Sequence, residues 1–439
     1  MKLNTRRTIL AGFAFLSICA FWQMYDNLVP LILTNTFHLN ETLSGAIMAA
    51  DNVLALFLLP LFGSLSDRCG SRLGRRRPYI LGGTLAAVFL MLGLPLLADS
   101  YHAAPSSGKL LGFIGVLGLL LVAMGTYRSP AVALMPDITP KPLRSRANAI
   151  INLMGAVGGV LYLVITAVLY RTKRDGYVSY LSLFAIVSGI MLLSLAVVML
   201  FVNEPRLARE QQAYEQAHPE DVLTEQTGGE EVLPAPVKRS LAFLLVSIAL
   251  WFISYNGVTT WFSVYARNVW NMTLGQANTC LTIATGGAIA SYIPVGSVAS
   301  RIGRKKTICF GTLLLGGSFG AAFLLTSVLR GFSPVLYVLF LLVGLAWAAI
   351  NVNSLPMVVE MCKGSEIGKF TGLYYTFSMS AQIVTPIAAG WLLRNVSYVA
   401  LFPYAAIFAF ASFATMCFVR HGDNKVVVKK GLEAYDMED

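Results

Sequence analysis

Mostly apolar runs of about 20 residues recur along the whole chain, separated by short polar segments and by one long one. That length matches a hydrocarbon core of about 30 Å, where no water reaches the backbone and a helix must satisfy its own polar groups. The pattern predicts twelve spans, at 9–35, 42–65, 78–98, 110–136, 146–170, 178–202, 240–265, 274–299, 306–329, 333–360, 367–393 and 397–419. The long polar segment, 203–239, carries eight acids with Gly and Pro and no apolar periodicity. It is expected as a solvated hinge, helical in part at most. The predicted fold is an all-α membrane protein of twelve transmembrane helices, with a six-helix half at 1–203, a cytoplasmic linker at 204–239, a second half at 240–420 and a cytoplasmic tail at 421–439.

The two halves repeat one another. The stretch GSLSDRCGSRLGRRRP, 63–78, lies between the second and third spans, and GSVASRIGRKK, 296–306, holds the same place between the eighth and ninth. Phe21, Trp22, Tyr25 and Asp26 of the first span meet Trp251, Phe252, Tyr255 and Asn256 of the seventh at a constant offset of 230. Asp137, ending the fourth span, similarly meets Glu360, ending the tenth. Parallel six-helix halves resemble the major facilitator architecture, which implies pseudo-symmetry and a site near the bilayer midplane.

Composition agrees with a membrane solvent. Hydrophobic residues make up 56% and charged residues 13%, against about 25% charged in ordinary globular chains. With the N-terminus inside, cytoplasmic segments hold 25 of the 33 Lys and Arg residues, outer loops hold seven, and Arg128 is left inside the membrane. Both termini and the linker are therefore expected in the cytoplasm. The formal charge of +11 follows from cations beside spans, where topology and anionic lipid explain them, so no nucleic-acid partner is expected. The first apolar run is too long for a signal-peptide core and is expected to be retained. Six cysteines lack any paired spacing and four histidines fall in loops or at ends, which supports neither a metal site nor a disulfide framework. Walker and nucleophile-elbow sequences are absent from the chain, so no enzyme activity and no cofactor are expected.

Ionisable groups inside spans usually face a polar path, because facing lipid is costly. Asp26, Asp51 and Arg128 meet that description. A carboxyl that alternates between apolar and cationic surroundings takes up and releases a proton, which makes Asp26 and Asp51 the candidate proton carriers. A structural polar contact is the other reading of each, with Asn52 a neighbour able to supply it. Arg128, with its fixed donors, suits a sugar hydroxyl or an internal carboxylate. Further candidates for a neutral sugar are Trp22, Gln23, Tyr25, Asn27, Asn148, Asn152, Tyr255, Asn256, Trp261, Asn351, Asn353, Tyr374, Tyr375 and Gln382. Each could equally be a helix-interface polar group or an interfacial aromatic. At the inner helix ends Asp67, Arg68, Arg75, Arg76, Asp137, Arg144, Arg301, Arg304 and Glu360 form a candidate cytoplasmic gate, with Asp137 expected to pair with Arg144 or Arg146 and Glu360 with Lys363 or Lys369. Topogenic charge explains the arginines alone but not the acids.

The segment SDRCGSRLGRRRPYIL, 66–81, resembles the loop between the second and third helices of the glycoside-pentoside-hexuronide cation symporters, in particular the branch of plant sucrose/proton symporters and their animal relatives. The stretch SPAVALMPDITPKPLRSRANAIINLMGAVGG, 129–159, is similar to the part of those symporters that ends helix 4 and opens helix 5. The resemblance is clear over 24–159 and weaker afterwards. It implies proton-coupled uptake of a disaccharide or glucoside by alternating access. Two departures qualify it. The aspartate that handles the proton in sucrose symporters falls at Leu121, and their arginine falls at Val132, one turn from Arg128. The paired acids that bind sodium in melibiose-type relatives fall at Ala55 and Leu59. Proton coupling would then move to Asp26 or Asp51. The expected protein is a monomeric, multi-pass sugar/proton symporter of the plasma membrane; a proton antiporter exporting sugars or drugs, and a transporter-like sensor, are the alternatives.

Overall fold

The computed structural model describes residues 4–139, 144–171, 177–217, 234–329, 332–361 and 367–423. Six long helices come first: α1 (Thr5–Asn35), α2 (Glu41–Asp67), α3 (Arg77–Ala103), α4 (Ser107–Ile138), α5 (Arg144–Leu169) and α6 (Leu181–Phe201). A shorter helix α7 (Glu204–Ala217) follows, then α8 (Ala235–Trp270), α9 (Leu274–Ile302), α10 (Arg304–Leu329), α11 (Val335–Val359), α12 (Ile367–Asn395) and, after a 3-10 turn at Tyr398–Ala400, α13 (Leu401–Cys417). All twelve predicted spans are present as helices. Several overrun their apolar runs, α8 and α3 most of all, because a helix can continue through the polar headgroup region beyond the hydrocarbon.

Among the described residues, ten of the helices are long and apolar enough to cross a membrane. Two further long helices, α9 and α12, are 29 residues each. Their hydroxyls largely bond back one turn along the same helix: Thr279 to Gly275, Thr282 to Asn278, Ser291 to Gly287, Thr376 to Gly372 and Thr385 to Ala381. This back-bonding satisfies a hydroxyl without water or a partner helix.

The described start of the linker, Glu204–Ala217, is helical, in keeping with a linker that is helical in part. Asn203 caps the start of α7 by accepting from the Arg206 N–H at 3.2 Å, and Arg206 pairs with Glu210 one turn on at 3.0 Å. The helix packs on α4 and is tied to α1 by Arg7 and Glu210 at 2.9 Å.

The chain forms two compact units, one of 1–39, 50–166 and 172–223, the other of 40–49, 167–171 and 224–439. In the first, α1 packs on α6, and α3 packs on α4 and α6; in the second, α8 packs on α13, and α10 packs on α11 and α13. Taking α8 as the counterpart of α1, these are the same three pairings, so the repeat read in the sequence extends to packing. Segments 40–49 and 167–171 belong to the second unit because of specific contacts. There the Tyr398 hydroxyl donates to Glu41, Gly45 lies against the Pro386 carbonyl, and the Gly275 N–H donates to the Tyr170 carbonyl at 3.1 Å. In the first unit α5 meets α1 at Gly158, where a Cβ would overlap the Leu16 carbonyl.

Candidate functional site

In the first unit, Trp22, Gln23 and Asp26 form a half-buried stripe on α1, while Phe21, Met24 and Tyr25 beside them are fully buried. The 3.6-residue period produces this split, since positions 22, 23 and 26 share one face. The Arg128 guanidinium of α4 lies over the Trp22 ring at 5.4 Å. That indole is fixed edge to face by Phe21 at 5.2 Å and Tyr25 at 5.4 Å. Asp26, Asp51 of α2 and Arg128 are within electrostatic range of one another, yet Arg128 makes no ion pair with either acid among the described residues. Asp51 accepts a hydrogen bond from the Asn52 amide at 2.8 Å. The Trp22 Nε1 is buried without a hydrogen-bond partner.

Two of the other α1 candidates turn into helix packing. Asn27 is buried and accepts from the Tyr162 hydroxyl of α5 at 3.0 Å, and Tyr25 stacks with Phe21 at 6.2 Å. Asn152 is buried in α5. Asn148 lies in α5, but its side chain is outside the described residues, as are those of Arg144, Arg146, Lys363 and Lys369.

The second unit gathers an aromatic cluster. Tyr255 of α8 stacks on Trp347 of α11 at 3.8 Å and 10° between planes. Phe252 meets the same Trp347 edge to face at 5.5 Å and approaches Tyr374 of α12 at 6.4 Å, and Tyr374 in turn contacts Tyr375. Asn256 is half-buried and its Nδ2 lacks a partner, while Asn351 is half-buried one turn after Trp347. Gln382 donates to the Ser378 carbonyl at 3.4 Å, and the Tyr374 hydroxyl lies 3.1 Å from Ser354 Oγ. Trp261 is buried and donates to the Pro386 carbonyl at 3.1 Å, and the Asn353 amide donates to the Ala349 carbonyl at 2.9 Å, so both turn inward. Trp347 was not among the sequence candidates. Its spacing of four from Asn351, on one helical face, was the available signal.

Where α2 gives way to α3, Arg76 is buried and binds two candidate gate acids of the first unit. Its Nε donates to Asp137 at 2.7 Å, another nitrogen pairs with Asp67, and a third reaches Ser66 Oγ at 2.5 Å. Burial disfavours the charged guanidinium, but the bond and charge of Asp137, with those of Asp67, outweigh it and raise its pKa above the ordinary arginine value. The second unit repeats the arrangement, with Arg304 paired to Glu360. The described partners of Asp137 and Glu360 are thus Arg76 and Arg304; the side chains of the expected partners Arg144, Arg146, Lys363 and Lys369 lie outside the described residues. The pairing is geometric: α3 packs along α4 and α10 along α11, so the arginine at the start of one helix lies beside the acid at the end of the next. Arg68, Arg75 and Arg301 are exposed and make no side-chain ion pair among the described residues.

Two acids missed in the sequence complete these ends. Glu204, read as part of a solvated linker, is buried and accepts from the backbone N–H groups of Arg75 at 2.7 Å, Arg76 at 3.0 Å and Arg77 at 3.0 Å. Asp423 accepts from the Arg304 N–H at 2.6 Å in the second unit. Each carboxylate meets the orphan donors and positive dipole of a helix N-terminus. Gly74 and Gly303, with φ of 112° and 98°, make the turn before each, a conformation that favours glycine.

A family model described as Major Facilitator Superfamily matches residues 11–276 and 265–434. The sucrose transport protein SUT4 of Oryza sativa subsp. indica is 29% identical over 170 residues, 36% of this chain and 28% of that protein. The sucrose transport protein SUC3 of Arabidopsis thaliana is 32% identical over 166 residues, 35% of this chain and 27% of that protein. The matched stretch spans under a third of these curated relatives. The inward open xylose transporter XylE from E. coli superposes with a TM-score of 0.70 at 15% identity, covering 95% of this chain and 96% of XylE.

Proposed function

Because the chain belongs to the Major Facilitator Superfamily, we propose that it is a secondary active transporter carrying out proton-coupled symport of a sugar or glycoside by alternating access. The observation that carries this reading is the grouping of Asp26, Asp51 and Arg128 inside spans of one unit without a direct ion pair. An intramembrane acid near a cation, yet not locked to it, can exchange a proton as its surroundings change. Asp26 is the first choice as carrier. It lies on the same α1 face as Trp22 and Gln23, and Asn256 stands at the corresponding position of the other half, which leaves one titrating group of the pair.

The sucrose transport proteins among the relatives support a sugar as cargo. Side chains of suitable chemistry are present in each unit. The first offers Trp22 Nε1, Gln23 and Arg128; the second offers the Tyr255 and Trp347 rings with Asn256 and Asn351. Rings take the apolar face of a sugar and amides take its hydroxyls. Arg76 with Asp67 and Asp137, and Arg304 with Glu360, are proposed to brace the inner ends during alternation.

The cation bias of 25 against seven supports cytoplasmic termini; a monomer of the plasma membrane is proposed with it. The test is uptake by proteoliposomes offered a panel of labelled glycosides, with and without an inward pH gradient. Accumulation of at least one sugar that collapses with a protonophore is the expected result. A sugar that equilibrates but never accumulates would reduce the protein to a facilitator, and substrate loading driven by counter-flow of protons would make it an exporter.

A further inference from the structure

We propose that Trp22 is a positioning residue that holds Arg128 on its ring and so keeps the guanidinium from closing on Asp26 or Asp51. Arg128 is half-buried within electrostatic range of two carboxyls, and an arginine that reaches a carboxylate can take it in a bidentate ion pair. Among the described residues it forms no ion pair, and its guanidinium lies over the indole face at 5.4 Å. The ring is held in place to receive it. Phe21 and Tyr25, both fully buried, pack edge to face against it at 5.2 Å and 5.4 Å, which fixes its plane from the α1 side. An electron-rich face is the favourable place for a cation that is not paired, and tryptophan supplies the best one.

The consequence concerns Asp26. A carboxylate locked to arginine gives up its proton affinity, whereas a carboxyl near but apart from the cation can still load and unload. The charged and titratable groups around Asp26 are Asp51 from α2 and Arg128 from α4, with the Tyr25 phenol on α1 itself. The nearby phenols of α4 and α5 are engaged elsewhere, Tyr127 with Ser17 and the Ala14 carbonyl and Tyr162 with Asn27. Among the described residues Arg128 is the cation that acts on the group, so where its guanidinium rests decides whether Asp26 is an ion-pair partner or a proton carrier. Trp22 sets that resting place.

For its effect on coupling the inference rests on the symport reading; its structural half stands on the geometry alone. The test compares wild type with Trp22→Leu, which removes the ring, and Trp22→Phe, which keeps an aromatic face but loses the N–H. Electron cryomicroscopy of Trp22→Leu is expected to show the Arg128 guanidinium in an ion pair with Asp26 or Asp51. In proteoliposomes the pH of half-maximal uptake should move about one unit or more toward acid in Trp22→Leu, since a paired carboxyl needs a higher proton concentration to load. Trp22→Phe should keep the wild-type pH profile while its KM rises, because the unpartnered Nε1 is gone and the cation is still held. Arg128 remaining apart from both acids in Trp22→Leu would overturn the proposal whatever the transport result. An unmoved pH profile in a variant whose Arg128 has paired would overturn its consequence for coupling. If wild type shows no proton-driven uptake, the symport reading fails and the structural comparison still decides the role of Trp22. Should Trp22→Leu not fold, Trp22→Met fills the space without a ring and carries both measurements.

Discussion

The backbone N–H of Arg76 donates to the Glu204 carboxylate at 3.0 Å, while the guanidinium of the same residue holds Asp137 at 2.7 Å. One arginine, the N-cap of α3, thereby joins the end of α4 to the first residue of α7. Asp423, Arg304 and Glu360 repeat the relationship in the second unit. This end of each unit is therefore a network built around a helix N-terminus.

Glu204→Gln should destabilise the protein by about 1–3 kcal/mol, since one amide oxygen cannot serve the three N–H groups that the two carboxylate oxygens serve. Thermal unfolding in detergent measures this. Glu210→Gln, an exposed acid of the same helix, is the control and should change stability by well under 1 kcal/mol. Equal effects from the two would show that the cap at α3 contributes nothing special.

The Arg7–Glu210 contact should depend on pH. The hydrogen bond from Arg7 lowers the Glu210 pKa below the usual glutamate range; desolvation opposes it, and the hydrogen bond from Arg206 and the charges of both arginines add to the lowering. The stabilisation is present above the unfolded-state value and is lost as pH falls through the lowered folded value. Amide exchange of α7 relative to α6 should accordingly rise toward acid, after correction for intrinsic rates, and Arg7→Gln should flatten that rise. A rise unchanged in Arg7→Gln would assign it to other groups.

Gly158→Ala should be costly and Gly189→Ala harmless. A Cβ at Gly158 meets the Leu16 carbonyl of α1, which cannot move aside as a flexible side chain could, whereas nothing lies within 4 Å of one at Gly189. Gly189→Ala should even gain up to about 1 kcal/mol from helix propensity. Yield of monodisperse protein and melting temperature, taken on both variants, give the comparison.

Asp26→Asn and Asp51→Asn separate the two candidate carriers, because each amide nearly preserves shape and hydrogen bonding while removing the titrating group. Asp26→Asn is expected to abolish uphill accumulation while retaining exchange of substrate down its gradient; Asp51→Asn should have the smaller effect. Persistent pH-dependent accumulation in both single variants and in the double variant would remove these residues from the coupling mechanism.

A single cysteine placed in the 218–233 stretch of an otherwise cysteine-free protein should resist an impermeant maleimide in intact cells and react after permeabilisation. Labelling from outside would reverse the orientation drawn from the cation bias.

The sequence by itself determined what depends on solvent and spacing. Apolar runs of bilayer length fixed the helices, the offset of 230 between Trp22 and Phe252 or Asp26 and Asn256 exposed the repeat, and the basic loops marked the inner ends. Asp26, Asp51 and Arg128 were legible because a charge inside a span is rare enough to notice in one dimension. Tertiary structure decided which groups meet. Glu204 looked like any acid of a polar linker until the fold brought it to the start of α3, 128 residues away from Arg76. Trp347 looked like one more apolar residue of α11 until it stacked on Tyr255. Arg128 could have been an ion-pair partner of either aspartate, and only the packed position of the Trp22 ring placed it elsewhere. The physical reason is common to all three: hydrophobicity and its period specify which face of a helix leaves water, whereas a hydrogen bond or ring contact needs angstrom-level placement that arises only when several helices pack at once.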